Sequence, residues 1–141
     1  MKNKIVLSFG EIMLRLTPSD SILNANNYKA CFGGTESNVL AALSGFGNST
    51  RYLTKLPDNS LGQAALMHLK KYGIDCDCII SQGDNMGMYF LEKGYATRTA
   101  NVIYSRKHSE ITTLNVGDFD FDRYGRFAVN GIPLLFITEK L

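Results

Sequence analysis

The run Ile5-Val6-Leu7-Ser8-Phe9, apolar at all but one position and closed by Gly10, constrains this chain more than any other stretch. A strand that is apolar on both faces must be covered on both, which is the condition of a strand inside a parallel sheet. After Gly33-Gly34 the spacing turns helical: Val39, Leu40, Leu43 and Phe46 recur at three and four residues, and Gly45 and Gly47 mark the end. Arg51 to Leu56 reads as a strand halted by Pro57. The oxygens of Asp58-Asn59-Ser60 can cap a second helix, with Leu61, Ala65, Leu69 and Tyr72 as its inward stripe and Gly73 as a left-handed stop. A third core strand is expected near Cys78 to Ser81. Strand, helix, strand, helix, strand is the alternation of an α/β fold built on a parallel sheet.

Other segments fall outside that layer. Residues 12–17 alternate imperfectly and end at Pro18, as a more exposed strand would, and Ser19 to Asn27 is polar enough for a loop. Two extended runs, 87–92 and 100–105, flank the turn signal Lys93-Gly94-Tyr95 and read as a hairpin, a candidate second small sheet with 12–17. The tail from Gly117 has no clear pattern, although Pro133 to Thr138 is a candidate for one more buried strand.

With 141 residues, 45% of them hydrophobic and 20% charged, the chain has the size and composition of one ordinary domain. A net charge of +2 is too small to argue for nucleic acid or an anionic membrane, and Lys70-Lys71 and Arg106-Lys107 read as solvated faces. No apolar stretch approaches the roughly 20 residues that cross a bilayer. The basic start Met1-Lys2-Asn3-Lys4 is followed too soon by Ser8, Gly10 and Glu11 for a signal peptide. Three cysteines are an odd number; Cys76 and Cys78 would share one face of a strand near the outer limit of disulfide spacing. Free thiols in a reducing cytosol are the simple reading, so a cytoplasmic location is expected. His68 and His108 have no metal-ligand partner at suitable spacing and are expected at the surface; no metal site is assigned.

The most informative stretch for chemistry is Cys31-Phe32-Gly33-Gly34-Thr35-Glu36-Ser37-Asn38-Val39. Two glycines before a helix let the backbone approach a ligand, the helix start offers unpaired N–H groups, and Asn38 can donate to and accept from a sugar hydroxyl. A tight turn that binds nothing is the equal alternative from local chemistry alone. Neither a dinucleotide fingerprint nor a Walker loop is present. Glu11, at the mouth of a parallel sheet, suits either a hydrogen bond to a sugar hydroxyl or a structural cap on the next strand.

Several blocks in one order then carry a resemblance. Phe9-Gly10-Glu11, Gly33-Gly34-Thr35-Glu36-Ser37-Asn38, Lys55-Leu56-Pro57-Asp58-Asn59-Ser60-Leu61-Gly62 and Lys71-Tyr72-Gly73-Ile74-Asp75 are similar to the amino-terminal signature of PfkB-family carbohydrate kinases, over roughly residues 4–115. The resemblance implies a ribokinase-like fold: a parallel α/β core and a small β-sheet lid (strands near 12–17, 87–92 and 100–105) that closes over the sugar and often forms a homodimer contact. Residues 1–141 would be the amino-terminal part of such a kinase domain, truncated at the carboxyl end. Gly87-Met88-Tyr89 and Ile103-Tyr104-Ser105-Arg106-Lys107-His108-Ser109 resemble the substrate-contacting motifs of 2-keto-3-deoxygluconate kinases. By that resemblance Glu11, Gly33, Gly34, Asn38, Tyr89, Tyr104 and Arg106 are the substrate-binding positions. The chemistry agrees, because a guanidinium binds a carboxylate bidentately and a tyrosine offers a ring and a hydroxyl to a two-sided sugar. Ordinary packing for the tyrosines and an exposed strand charge for Arg106 are the alternatives without it.

For the full-length family the resemblance implies ATP, Mg and a catalytic aspartate in a Gly-Ala-Gly-Asp-like segment of the carboxyl-terminal half. No such segment occurs before Leu141, so no catalytic residue is assigned and the chain alone is expected to be inactive. Residues 117–141 match only loosely, with Asn130-Gly131-Ile132 a displaced version of the family's next strand. A sheet without its neighbours would expose an edge and an apolar face, and self-associate. The rivals are a fructokinase- or ribokinase-like kinase part and a non-catalytic sugar-binding or dimerisation module.

Overall fold

A computed structural model describes residues 4–124, 128–129 and 135–139. In chain order its elements are β1 (Lys4–Phe9), β2 (Met13–Pro18), β3 (Tyr28–Gly33), α1 (Thr35–Gly45), β4 (Ser49–Leu53), β5 (Lys55–Leu56), α2 (Ser60–Lys71), β6 (Ile80–Ser81), β7 (Met88–Glu92), β8 (Asn101–Ser105), β9 (Ala128–Val129) and β10 (Leu135–Glu139). Short 3-10 turns occupy Glu110–Thr113 and Phe121–Tyr124.

The apolar run of β1 is covered on both faces. Leu7 joins Leu53 and Phe119 in one buried cluster with Phe9 against it, while Val6 packs against the other cluster, which holds Leu40, Tyr52, Leu69 and Met86. Phe9 and Phe119 meet edge to face at 6.0 Å, so the segment after the 3-10 turn at 110–113 closes this side of the sheet. Within the sheet, ordered β4-β1-β10-β9, β1 runs parallel to β4 and antiparallel to β10. The layer is therefore mixed rather than wholly parallel, because an apolar run specifies a buried strand but not the direction of its neighbour. The strand expected over Pro133 to Thr138 is β10; residues 130–134, with Asn130-Gly131-Ile132, lie outside the described residues.

The strand expected from Arg51 to Leu56 divides at Thr54. β4 pairs with β1, whereas β5 pairs with β6. Asp75 accounts for the division: its backbone bridges the outer edge of β4, with Tyr52 N donating to Asp75 O at 3.1 Å and Asp75 N to Thr50 O at 2.9 Å. Its Oδ1 then accepts from Asp77 N at 2.9 Å and its Oδ2 from Arg51 Nε at 2.8 Å, which turns the chain before pairing resumes. The third strand is thereby cut to Ile80–Ser81, and Cys76 and Cys78 flank a turn instead of sharing a strand face. None of the three cysteines forms a disulfide, and burial pushes the Cys76 thiol up to about 11.

Asn59 caps α2, its Oδ1 accepting from Leu61 N at 3.0 Å and Gly62 N at 3.2 Å. Ala65 and Leu69 face the core, and Gly73 at φ +74 ends the helix as its permissive backbone allows. Two expected stripe residues do not: Tyr72 is half exposed, and Phe46, just past the end of α1, is 82% exposed. Periodicity placed them on the right side of each helix, but each helix ends before the turn that would bury them.

The second sheet is ordered β3-β2-β7-β8, with β2 antiparallel to β3 and parallel to β7, and β7 antiparallel to β8. Strand β3 was not anticipated, since Tyr28, Lys29 and Ala30 are exposed and show no apolar alternation. The hairpin turn is longer than Lys93-Gly94-Tyr95: Tyr95 and Arg98 exchange backbone bonds at 3.0 and 3.1 Å, with Ala96 at φ 52 between them. Among the described residues no helix is long and apolar enough to cross a membrane.

Candidate functional site

The two sheets meet where β1 gives way to β2, and Glu11 stands at that junction. Its side chain is only 9% exposed. Oε1 accepts from the buried Ser109 hydroxyl at 2.6 Å, and Oε2 lies 2.7 Å from Nη2 of Arg106. Bringing these groups together needs two residues without side chains. A Cβ on Gly34 would stand 2.3 Å from the Glu11 carbonyl oxygen, and one on Gly87 would stand 2.3 Å from Glu11 Oε1. At both positions close approach, rather than backbone angle, requires glycine.

Around Glu11 opens a cleft of about 330 Å³ lined by Phe9, Gly10, Thr35, Glu36, Tyr104 and Arg106, among others. A broader hollow of about 580 Å³, with Met86, Met88 and His108 in its wall, shares Tyr104 and Arg106 with it. α1 begins at the mouth with no side-chain cap, and its first-turn residues Thr35 and Glu36 line the cleft. Such a helix start carries unpaired amides and a partial positive charge.

The remaining groups come from the second sheet. Tyr89 and Tyr104 are cross-strand partners on β7 and β8, with rings 5.8 Å apart. The Tyr89 hydroxyl reaches across β2 to Gly33, where a Cβ would be 3.1 Å from it. Arg15, opposite Tyr89 in register, donates from Nε to Cys31 Sγ at 3.0 Å. Tyr104 is 60% exposed and the Arg106 side chain 47%, so both offer polar atoms to an incoming molecule.

Of the seven residues expected from sequence, Glu11, Tyr104 and Arg106 share this cleft, and Gly34 and Gly33 pack against Glu11 and Tyr89. Asn38 is placed elsewhere. It is exposed on α1 and lines a separate hollow of about 220 Å³ with Phe32, His68 and Tyr72. His68 is not a surface residue either: it is half-buried, 5.6 Å from the Phe32 ring and 5.0 Å from Tyr72. Burial, helped by Lys71, lowers its pKa. Sequence reasoning missed Gly87 and Ser109 as partners of Glu11, and Thr35 and Glu36 as cleft residues. Ser109 lies 98 positions from Glu11, and no local pattern reports such a contact.

Among the described residues no group of three or more His, Cys, Asp or Glu gathers for a metal ion. The cleft instead combines one half-exposed guanidinium, the Tyr104 hydroxyl, the start of α1 and two carboxylates, the buried Glu11 and Glu36. Those groups suit a polyhydroxylated ligand that carries a negative charge.

Comparison with known proteins agrees in kind. Residues 3–127 match the model of the pfkB family carbohydrate kinases. The chain is 34% identical over 119 residues to a 2-dehydro-3-deoxygalactonokinase of Haloferax volcanii, covering 83% of this chain and 37% of the relative. It is 29% identical over 133 residues to a 2-dehydro-3-deoxygluconokinase of Bacillus subtilis, covering 90% of this chain and 41% of the relative. The crystal structure of a Thermotoga maritima 2-dehydro-3-deoxygluconokinase superposes with a TM-score of 0.79 at 43% identity, covering 82% of this chain and 36% of the other. The chain thus spans about two fifths or less of the length of these relatives.

Proposed function

The chain belongs to the pfkB family of carbohydrate kinases, and from that premise we propose that its cleft takes a sugar acid, 2-keto-3-deoxygluconate (2-dehydro-3-deoxygluconate), as the phosphoryl acceptor. The observation that carries the reading is Arg106 standing half exposed at the rim of a cleft whose other walls are Tyr104 and the start of α1. A guanidinium can grip a carboxylate through two parallel bonds, and the tyrosine hydroxyls and α1 amides can meet the sugar hydroxyls. In this reading Gly33, Gly34, Tyr89, Tyr104 and Arg106 bind the substrate, Glu11 belongs to the same site, and Asn38 contributes only if ligand binding moves α1. The second sheet acts as a lid and supplies the contact for a homodimer, and the protein works in the cytoplasm.

ATP and Mg²⁺ complete the proposed reaction, in which the γ-phosphoryl group passes to a sugar hydroxyl. The 141 residues hold no Gly-Ala-Gly-Asp-like or Walker-type segment. The part played by this stretch is accordingly sugar binding, and we expect it to bind without turnover by itself.

Calorimetric titration of the chain with the sugar acid and with fructose tests the substrate. Replacing Arg106 by Ala should weaken the sugar acid by ten- to a hundredfold, from loss of a charge-assisted pair, and fructose by no more than about twofold. Equal losses would remove the sugar-acid assignment in favour of a neutral sugar. ATP-dependent phosphorylation by the 141 residues alone would overturn the division of labour proposed here.

A further inference from the structure

We propose that Glu11 and Ser109 form a positioning pair that holds the Arg106 guanidinium at the cleft, so that Glu11 serves the ligand through Arg106. The inference rests on the reading that the cleft takes a sugar acid, and extends it to residues that set the receptor's geometry.

Each oxygen of the Glu11 carboxylate faces a partner, although among the described residues only Oε1 accepts a hydrogen bond. One takes the Ser109 hydroxyl at 2.6 Å and the other faces Arg106 Nη2 at 2.7 Å. The Ser109 bond, made to a carboxylate, is the strong kind, and the Arg106 contact adds an ion pair without hydrogen-bond alignment. Neither end is free to drift. Ser109 is 3% exposed, its N–H donates to Arg106 O at 3.2 Å, and its own carbonyl accepts from Thr112 Oγ1 at 2.7 Å and Thr112 N at 2.9 Å. On the other side of the carboxylate, Gly87 leaves the space that a side chain would take from Oε1. The carboxylate is thus seated by β7's approach, by the turn after β8 and by the start of β2.

Among the described residues the Arg106 guanidinium meets its one partner, Glu11, through Nη2. A guanidinium carries five N–H donors in a rigid fork, so one contact through Nη2 fixes its direction and leaves an open edge. A long side chain on a surface otherwise loses rotamer freedom on binding, and ordering it beforehand removes that cost from the affinity. A sugar hydroxyl could reach Oε1 only by displacing Ser109, and Oε2 only by sharing it with Arg106.

The test uses the whole chain, ¹⁵N-labelled and without ligand, and follows the Arg106 Nε–Hε resonance, identified by its loss in Arg106→Lys. A rigid resonance is expected in the wild type, with averaging toward mobile values in Ser109→Ala and in Glu11→Gln. Glu11→Gln preserves volume, so it carries the test if Ser109→Ala fails to fold. Titration with 2-keto-3-deoxygluconate should then show about a tenfold weaker Kd in either variant, with fructose changed less than about twofold. A mobile Arg106 in the wild type, or a rigid one indifferent to both variants, overturns the proposal. If Arg106 responds as expected but the wild type takes up no sugar acid, the pair stands and the substrate reading fails.

Discussion

The first sheet with its helices and the second sheet are built from similar residues and treat them oppositely. Leu7, Tyr52, Leu53 and Leu40 are fully buried, whereas Val102, Ile103 and Tyr104 on β8 all remain exposed. Among the described residues strand β8 is an edge, flanked only by β7. In the first region a large apolar side chain stabilises the fold of this chain. In the second it stands ready for something else, a ligand on the Tyr104 side in our reading, and a second copy along the edge. Exposed apolar strands are costly to leave open, so their presence points to a use.

Stability measurements can break that contrast. Leu69→Ala in α2 should cost about 3 kcal/mol, the transfer and cavity cost of a buried leucine, while Ile103→Ala on β8 should cost less than about 0.5 kcal/mol. Urea denaturation of both variants checks this, and similar losses would show that β8 is part of the folding core. Alkaline titration sharpens the same division. Cys76 keeps its proton in the folded chain up to about 11 against 9.0 for a free thiol, mainly through burial. Its contribution is therefore full below pH 9 and is lost as pH rises through 11, by about 2 kcal/mol in all. The buried Tyr52, raised well above 10.0 mainly by burial and then by Glu36 and Glu11, adds loss of the same sign that begins near pH 10. Cys76→Ala should remove the loss that opens at pH 9 and leave the part that Tyr52 contributes from about pH 10. Asn59→Ala, which removes the α2 cap, should cost about 1 kcal/mol by the same denaturation. Arg106→Ala should scarcely change stability, since its ion pair is half exposed.

How much of this was legible in the sequence follows the same boundary. β1, α2 with its Asn59 cap and Gly73 stop, and the inward Ala65 and Leu69 were readable, because burial forces a period on the residues. The same logic misplaced Phe46 and Tyr72, which fall at helix ends where the period outlasts the packing. Where the chain answers to hydrogen bonds rather than burial, periodicity gave no warning. Asp75 breaks the second core strand through one side chain and its own backbone, and β3 forms from residues that stay exposed. Of the residues that line the cleft, Glu11, Tyr104 and Arg106 could be named from motifs, whereas Asn38 from the same reasoning lies in another hollow, and the positions that seat Glu11 could not be named. Gly87 and Ser109 matter for the space and the hydroxyl they supply to a residue far away in sequence.

The most direct test maps where the ligand sits. Backbone amide shifts of the ¹⁵N-labelled chain, followed while 2-keto-3-deoxygluconate is added, should move chiefly at residues 10–11, 33–36, 87–89 and 104–109. Shifts confined to His68 and Tyr72 around the second hollow, or no saturable shifts at all, would contradict the claim that the junction of the two sheets is a sugar-acid site.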